Sequence, residues 1–140
     1  MLANRSMPQC TVIPVIAYAD LGEAVDWLCD VFRFTVRVRI GCHRAQLNVG
    51  DGAVVLRQAD KGAAESGGSV MVRVEDVDGH CERAKQRGAR IVEPPTDFPY
   101  GERQYTVEDF AGRVWKFSQS IADVAPRIGA VHPAKDLMVI

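Results

Sequence analysis

TVIPVIAYADLGEAVDWLCDVF, residues 11–32, changes its hydrophobic period once, and the change decides the fold. Thr11 to Tyr18 is rich in β-branched and aromatic residues, as a strand is. Asp20 with Glu23 three residues on supplies capping-box chemistry, so a helix is predicted to start there. Leu21, Ala24, Val25, Leu28 and Phe32 recur at helical spacing and predict one buried stripe, widened by Trp27 and Cys29. Three strands are then expected, Thr35–Ile40, His43–Val49 and Ala53–Gln58, the last two joined by the tight Gly50-Asp51-Gly52 turn.

The pattern restarts 56 residues later. Ser69–Glu75 reads as a strand, Asp76 as an N-cap, and a helix is predicted to run to about Arg87, with Gly88 as its stop. Ala89–Glu93 is a short strand expected to end at Pro94-Pro95. Arg103–Glu108 and Arg113–Ser118 flank a second hairpin turn at Asp109-Phe110-Ala111-Gly112. Offsets of 56 residues (Asp20 to Asp76) and 60 residues (Gly52 to Gly112) mark a duplication. The fold class is therefore α+β, two βαβββ modules forming half-open curved sheets around a cleft. Its division is one domain over 1–140, with modules at 11–58 and 69–119, a linker at 59–68 and a tail at 120–140.

Composition narrows the function. Seventeen Lys and Arg against eighteen Asp and Glu leave a net charge of −1, so no excess positive field exists to hold a nucleic-acid backbone or an anionic membrane. No apolar run approaches the roughly 20 residues that span a bilayer, and the first thirty residues lack a secretory pattern. A cytoplasmic location is expected. Cys10, Cys29, Cys42 and Cys81 form no CxxC and read as reduced thiols.

Four short blocks are the most specific pieces of the repeat: Tyr18-Ala19-Asp20, Val74-Glu75-Asp76-Val77-Asp78, Pro99-Tyr100-Gly101-Glu102-Arg103, and Asp109-Phe110-Ala111-Gly112-Arg113-Val114-Trp115. Through them residues 11–119 resemble the vicinal oxygen chelate superfamily, which includes glyoxalase I, extradiol dioxygenases, fosfomycin-modifying enzymes and bleomycin-binding resistance proteins. The last two blocks are similar to the bleomycin-resistance and PhnB-like branch. Metal enzymes of the superfamily hold a divalent ion with His and Glu from the first and last strands of each module. Counting from the caps and turns, the resemblance puts Ile13, Leu56, Ser69 and Lys116 at those places. None is a plausible ligand set, and no metal or other cofactor is expected. His43, His80 and His132 form neither HxxxH nor HxH.

If those four positions face the cleft, strand alternation adds Val15, Ala17, Val54 and Gln58 from the first module and Met71, Arg73, Val114 and Ser118 from the second. Apolar walls with two cations suit a mid-sized organic ligand. Lys116 calls for a partner, either an anionic ligand or a carboxylate of the protein. Phe98 and Tyr100 lie in a Pro/Gly-rich loop that in the resembling binding proteins carries an aromatic side chain over the ligand; Phe98 alternatively plugs an open sheet edge. The expected ligand-binding set is Met71, Arg73, Phe98, Tyr100, Tyr105 and Lys116, although pattern alone leaves open which face of its strand Tyr105 takes. The expected function is that of a metal-free drug- or natural-product-binding protein of antibiotic-resistance type, a homodimer sequestering a planar or anionic small molecule. The alternative is a glyoxalase-, dioxygenase- or lyase-type enzyme with a shifted metal site, or with acid–base residues such as Lys116 and Glu75 or Tyr105.

Overall fold

The structure, a computed structural model, describes residues 2–60 and 68–126. The elements are β1 (Val15–Tyr18), α1 (Leu21–Phe32), β2 (Thr35–Ile40), β3 (Arg44–Val49), β4 (Gly52–Gln58), β5 (Ser69–Arg73), α2 (Val77–Gln86), β6 (Arg90–Phe98), β7 (Glu102–Glu108) and β8 (Val114–Ser120). They form two four-stranded sheets, ordered β1-β4-β3-β2 and β5-β8-β7-β6. In each sheet the strand before the helix pairs parallel with the last strand, and the other pairs are antiparallel. This is the duplicated βαβββ pattern expected from the sequence. Most of the predicted linker and tail lies outside the described residues.

The caps act as their residue types dictate. Asp20 accepts a hydrogen bond from the Glu23 N–H, and Asp76 accepts one from Gly79. Helix α1 stops at Arg33, whose φ of 64° is left-handed, and α2 ends before Gly88, whose φ is 86°. The alternation of each strand divides its residues between two faces. Ile16, Tyr18, Ala45, Leu47, Val54 and Leu56 from the first sheet meet Tyr105, Val107, Trp115 and Phe117 from the second in one buried cluster with the apolar stripes of both helices. Phe32 is central to it, its ring 4.9 to 5.9 Å from those of Trp27, Phe34, His80, Trp115 and Phe117.

Three expectations change. Strand β6 does not stop at Pro94-Pro95 but continues to Phe98, with register shifts on either side of Glu93. It is an edge strand, where a missing N–H costs no ladder bond and a bulge absorbs the prolines. Strand β1 begins at Val15 rather than Thr11. The third change is in β4. Val15 pairs with Val55, and Met71 pairs with Lys116. Val55, not Leu56, is therefore the counterpart of Lys116. Counting from the turn glycines slipped by one residue because β3 and β4 are joined by two residues and β7 and β8 by five. Leu56 and Val54 are core residues, and Gln58 turns to the helix side, accepting from the Leu21 N–H and bonding the Ala19 carbonyl.

Candidate functional site

The outward face of the second sheet collects the polar side chains that the core excludes. By register, Met71, Arg73, Lys116, Ser118, Gln104 and Thr106 share it. Met71 is 57% exposed, unusual for a methionine in a strand. Met71 and Arg73 also line a pocket of about 270 Å³ with Val12, Pro14 and the β3–β4 turn, so the site reaches the seam between the two modules.

A directed row of hydrogen bonds crosses this face. The Tyr100 hydroxyl donates to Gln104 Oε1 (3.2 Å), the Gln104 amide donates to Ser118 Oγ (3.1 Å), and Ser118 donates to Glu102 Oε1 (2.6 Å). Every donor points toward the carboxylate. Hydrogen bonds from Ser118 and Ser120 and the nearby Arg73 charge hold the Glu102 carboxyl below its ordinary range. Arg73 itself donates to Ser120 Oγ (3.3 Å). The Lys116 side chain makes no ion pair or hydrogen bond to the described residues.

The aromatic loop takes its place beside this row. Phe98 and Tyr100 stack with centroids 5.4 Å apart and planes 13° from parallel. Phe98 ends the edge strand and Tyr100 reaches over it to Gln104, so the pair forms one rim of the face. Tyr105 does not join them. It is fully buried, stacked on Phe117, with its hydroxyl 2.5 Å from His80 Nδ1. The expectation that Tyr105 lines the cleft is corrected: its neighbours Gln104 and Thr106 are the outward residues, because Tyr105 pairs with the core residue Phe117. Glu102, Gln104 and Ser118 have no local signature that marks a site. Only the pairing of β7 with β8 brings them together.

The donor set does not fit a catalytic metal. Val15, Val55, Met71 and Lys116, the pseudo-equivalent outward positions, offer hydrocarbon, a thioether and a cation. Among the described residues no group of three His, Cys, Asp or Glu side chains can hold an ion. Half-buried His80 packs on Phe117, on the helix side of the sheet and not on this face. No described helix is long and apolar enough to cross a membrane.

Comparison with known proteins agrees with this fold. Residues 9–117 match the family described as Glyoxalase/Bleomycin resistance protein/Dioxygenase superfamily. Among solved structures, TioX from Micromonospora sp. ML1 is similar at 35% identity and a TM-score of 0.69, over 83% of this chain and 100% of that one. TnmS3, an antibiotic binding protein from Streptomyces sp. CB03234, is similar at 24% identity and a TM-score of 0.65, over 77% of this chain and 93% of that one. A glyoxalase/bleomycin resistance protein/dioxygenase from Nocardioides gives 20% and 0.66, over 92% and 93%. The last two share the fold only. No match was found among curated protein sequences.

Proposed function

The chain belongs to the glyoxalase/bleomycin resistance protein/dioxygenase superfamily, and from that premise we propose that it is a metal-independent binding protein for a planar or anionic organic molecule of drug or natural-product type. The observation that carries the reading is the outward face of the second sheet, where Lys116 lies beside exposed Met71 without a protein counter-ion among the described residues. A cation in that setting favours an anionic group, Met71 and the pocket beside it supply apolar contact, and Phe98 with Tyr100 offers an aromatic surface. The likeness to TnmS3 is support of the same kind. A strongly cationic ligand is disfavoured by Arg73 and Lys116.

The open face requires a cover, and we assign that role to a second copy of the chain. Val15, Val36, Ile40, Met71 and Val92 are exposed apolar strand residues, and β1, β2, β5 and β6 are edge strands. A homodimer interface above about 1,000 Å² is expected. Sedimentation at micromolar concentration that shows only monomer overturns the shared cleft.

Binding is tested by thermal shift with planar aromatic antibiotics and, separately, with divalent metals. A true ligand at a hundredfold excess over Kd stabilises by about 2.7 kcal/mol. Lys116→Met is expected to weaken anionic ligands about tenfold and to spare neutral ones, and Tyr100→Ala to cost about 0.5 to 1.5 kcal/mol of stacking. If neither changes the affinity of a ligand that binds, the site is elsewhere. Elemental analysis is expected to find no stoichiometric zinc, iron, manganese or nickel. About one ion per chain, lost with activity on chelation, moves the protein to the metal enzymes. Chemical change of the ligand, abolished by Lys116→Met, moves it to acid–base enzymes, with Glu102 rather than Tyr105 as the group sharing that face.

A further inference from the structure

The turn at the tip of the β6–β7 hairpin is covered, although tight turns usually face water. Phe98 pairs with Glu102 across it, and the Gly101 N–H donates to the Phe98 carbonyl (3.0 Å). Pro99 suits the first corner of such a turn, and Gly101, at a φ of 86°, suits the left-handed place that follows it. Pro99 is exposed, yet Gly101 is buried. The cover is the chain that leaves β8. The N–H groups of Ile121 and Ala122 both donate to the Gly101 carbonyl (2.8 and 3.3 Å). A methyl group on Gly101 would collide with the Ala122 carbonyl oxygen and press on Val124 Cγ2. The obstacle is mainly backbone, which cannot swing aside as a side chain can.

The duplication shows that this cover is not a demand of the fold. In the first module the matching β2–β3 turn carries Gly41, which is exposed, and only the His43 side chain would touch a methyl group there. The covered turn is the one that carries the aromatic rim. Gly101 directly follows Tyr100, whose ring stacks on Phe98 and whose hydroxyl starts the hydrogen-bonded row at Gln104. Fixing Gly101 therefore fixes the backbone from which the Tyr100 ring projects.

We propose that Gly101 is a positioning residue and residues 121–124 a strap, and that together they hold the Tyr100 ring in place before a ligand arrives. Order in advance spares a ligand the entropy of fixing the loop. The coupling is reciprocal: a ligand stacked on Tyr100 also holds the strap down. The consequence for affinity rests on the binding role proposed above, whereas the positioning itself does not.

Fluorine NMR of protein labelled with fluorotyrosine tests the positioning without any ligand. The chain has three tyrosines; Tyr18 and Tyr105 are fully buried and report the core, while Tyr100, assigned with Tyr100→Phe, reports the rim. Gly101→Ala and removal of residues 121–140 should each move the Tyr100 resonance toward that of free fluorotyrosine and leave the other two in place. Gly88→Ala is the control for backbone strain: Gly88 has the same φ of 86° but open space where its Cβ would lie, so Tyr100 should not move. A Tyr100 resonance unmoved in both strap variants overturns the proposal. If both variants disturb the core resonances, heating the wild type decides. The Tyr100 signal and the exchange protection of the Ile121 amide should then be lost together, and separate loss overturns the proposal. Affinity is read with anilinonaphthalene sulfonate, a planar aromatic anion. Gly101→Ala and Tyr100→Ala should each weaken it about two- to tenfold, and the double variant no further. Losses that multiply in the double variant overturn action through Tyr100. Dye affinity indifferent to Tyr100→Ala overturns the binding role of the face instead, and the fluorine result still decides the strap.

Discussion

Asp109→Ala is expected to destabilise the protein by about 3 to 5 kcal/mol and to lower Tm by about 10 °C or more. The Asp109 carboxylate is nearly inaccessible and accepts four hydrogen bonds. Oδ1 takes the backbone N–H groups of Ala111 and Arg113 (3.0 Å each), and Oδ2 takes the Tyr18 hydroxyl (2.6 Å) and the Trp115 indole N–H (3.0 Å). Removing it leaves buried donors on two large aromatic rings without acceptors, and frees the turn that sets the register of β8. Burial and the adjacent Asp109 charge push the Tyr18 phenol well above its ordinary range, so it remains a donor. Tyr18→Phe removes one bond of the four and should cost only about 1 to 2 kcal/mol. Chemical denaturation of both variants is the measurement. A cost for Asp109→Ala no larger than that for Tyr18→Phe contradicts the role of Asp109 as the shared acceptor of Tyr18, Trp115 and the turn.

Stability should fall by about 3 kcal/mol as pH drops from 6.5 to 4, through one side chain. His80 is packed on Phe117 with centroids 4.0 Å apart and bonded to Tyr105. Burial lowers its pKa to about 4; a hydrogen bond to the Phe32 backbone opposes this, and the charges of Arg83 and Arg33 reinforce it. The unfolded chain binds a proton near pH 6.5 that the folded chain refuses until about pH 4. The contribution is complete above 6.5, declines through that window and is gone below it. Urea titrations at pH 7.5, 6, 5 and 4.5 should show the decline in the wild type and a flatter profile in His80→Gln. A wild-type profile flat from pH 7 to 5 contradicts it.

The duplicated architecture was legible because each level of the sequence agreed with the next: period, caps and turn residues all marked the same boundaries. Met71, Arg73 and Lys116 were legible as sharing a face, because β5 and β8 alternate regularly and pair without a shift. Leu56 and Tyr105 were assigned to the cleft for a common reason. Parity within a strand is readable, but its phase depends on loop length or on the partner strand, and one residue of slip exchanges core for surface. The row from Tyr100 to Glu102 was illegible because its members are ordinary polar residues until two strands are laid side by side.

The single core shared by both modules sets an order of events at the ribosome. When residues 1–60 have emerged, Phe32 and Tyr18 have their helix and strand neighbours but not Asp109, Trp115 or Phe117, which are synthesised some 50 residues later. The bond between Tyr18 and Asp109 closes across 91 residues. The first half therefore waits, with its most apolar surface open to water and to chaperones, until nearly the whole repeat has been made.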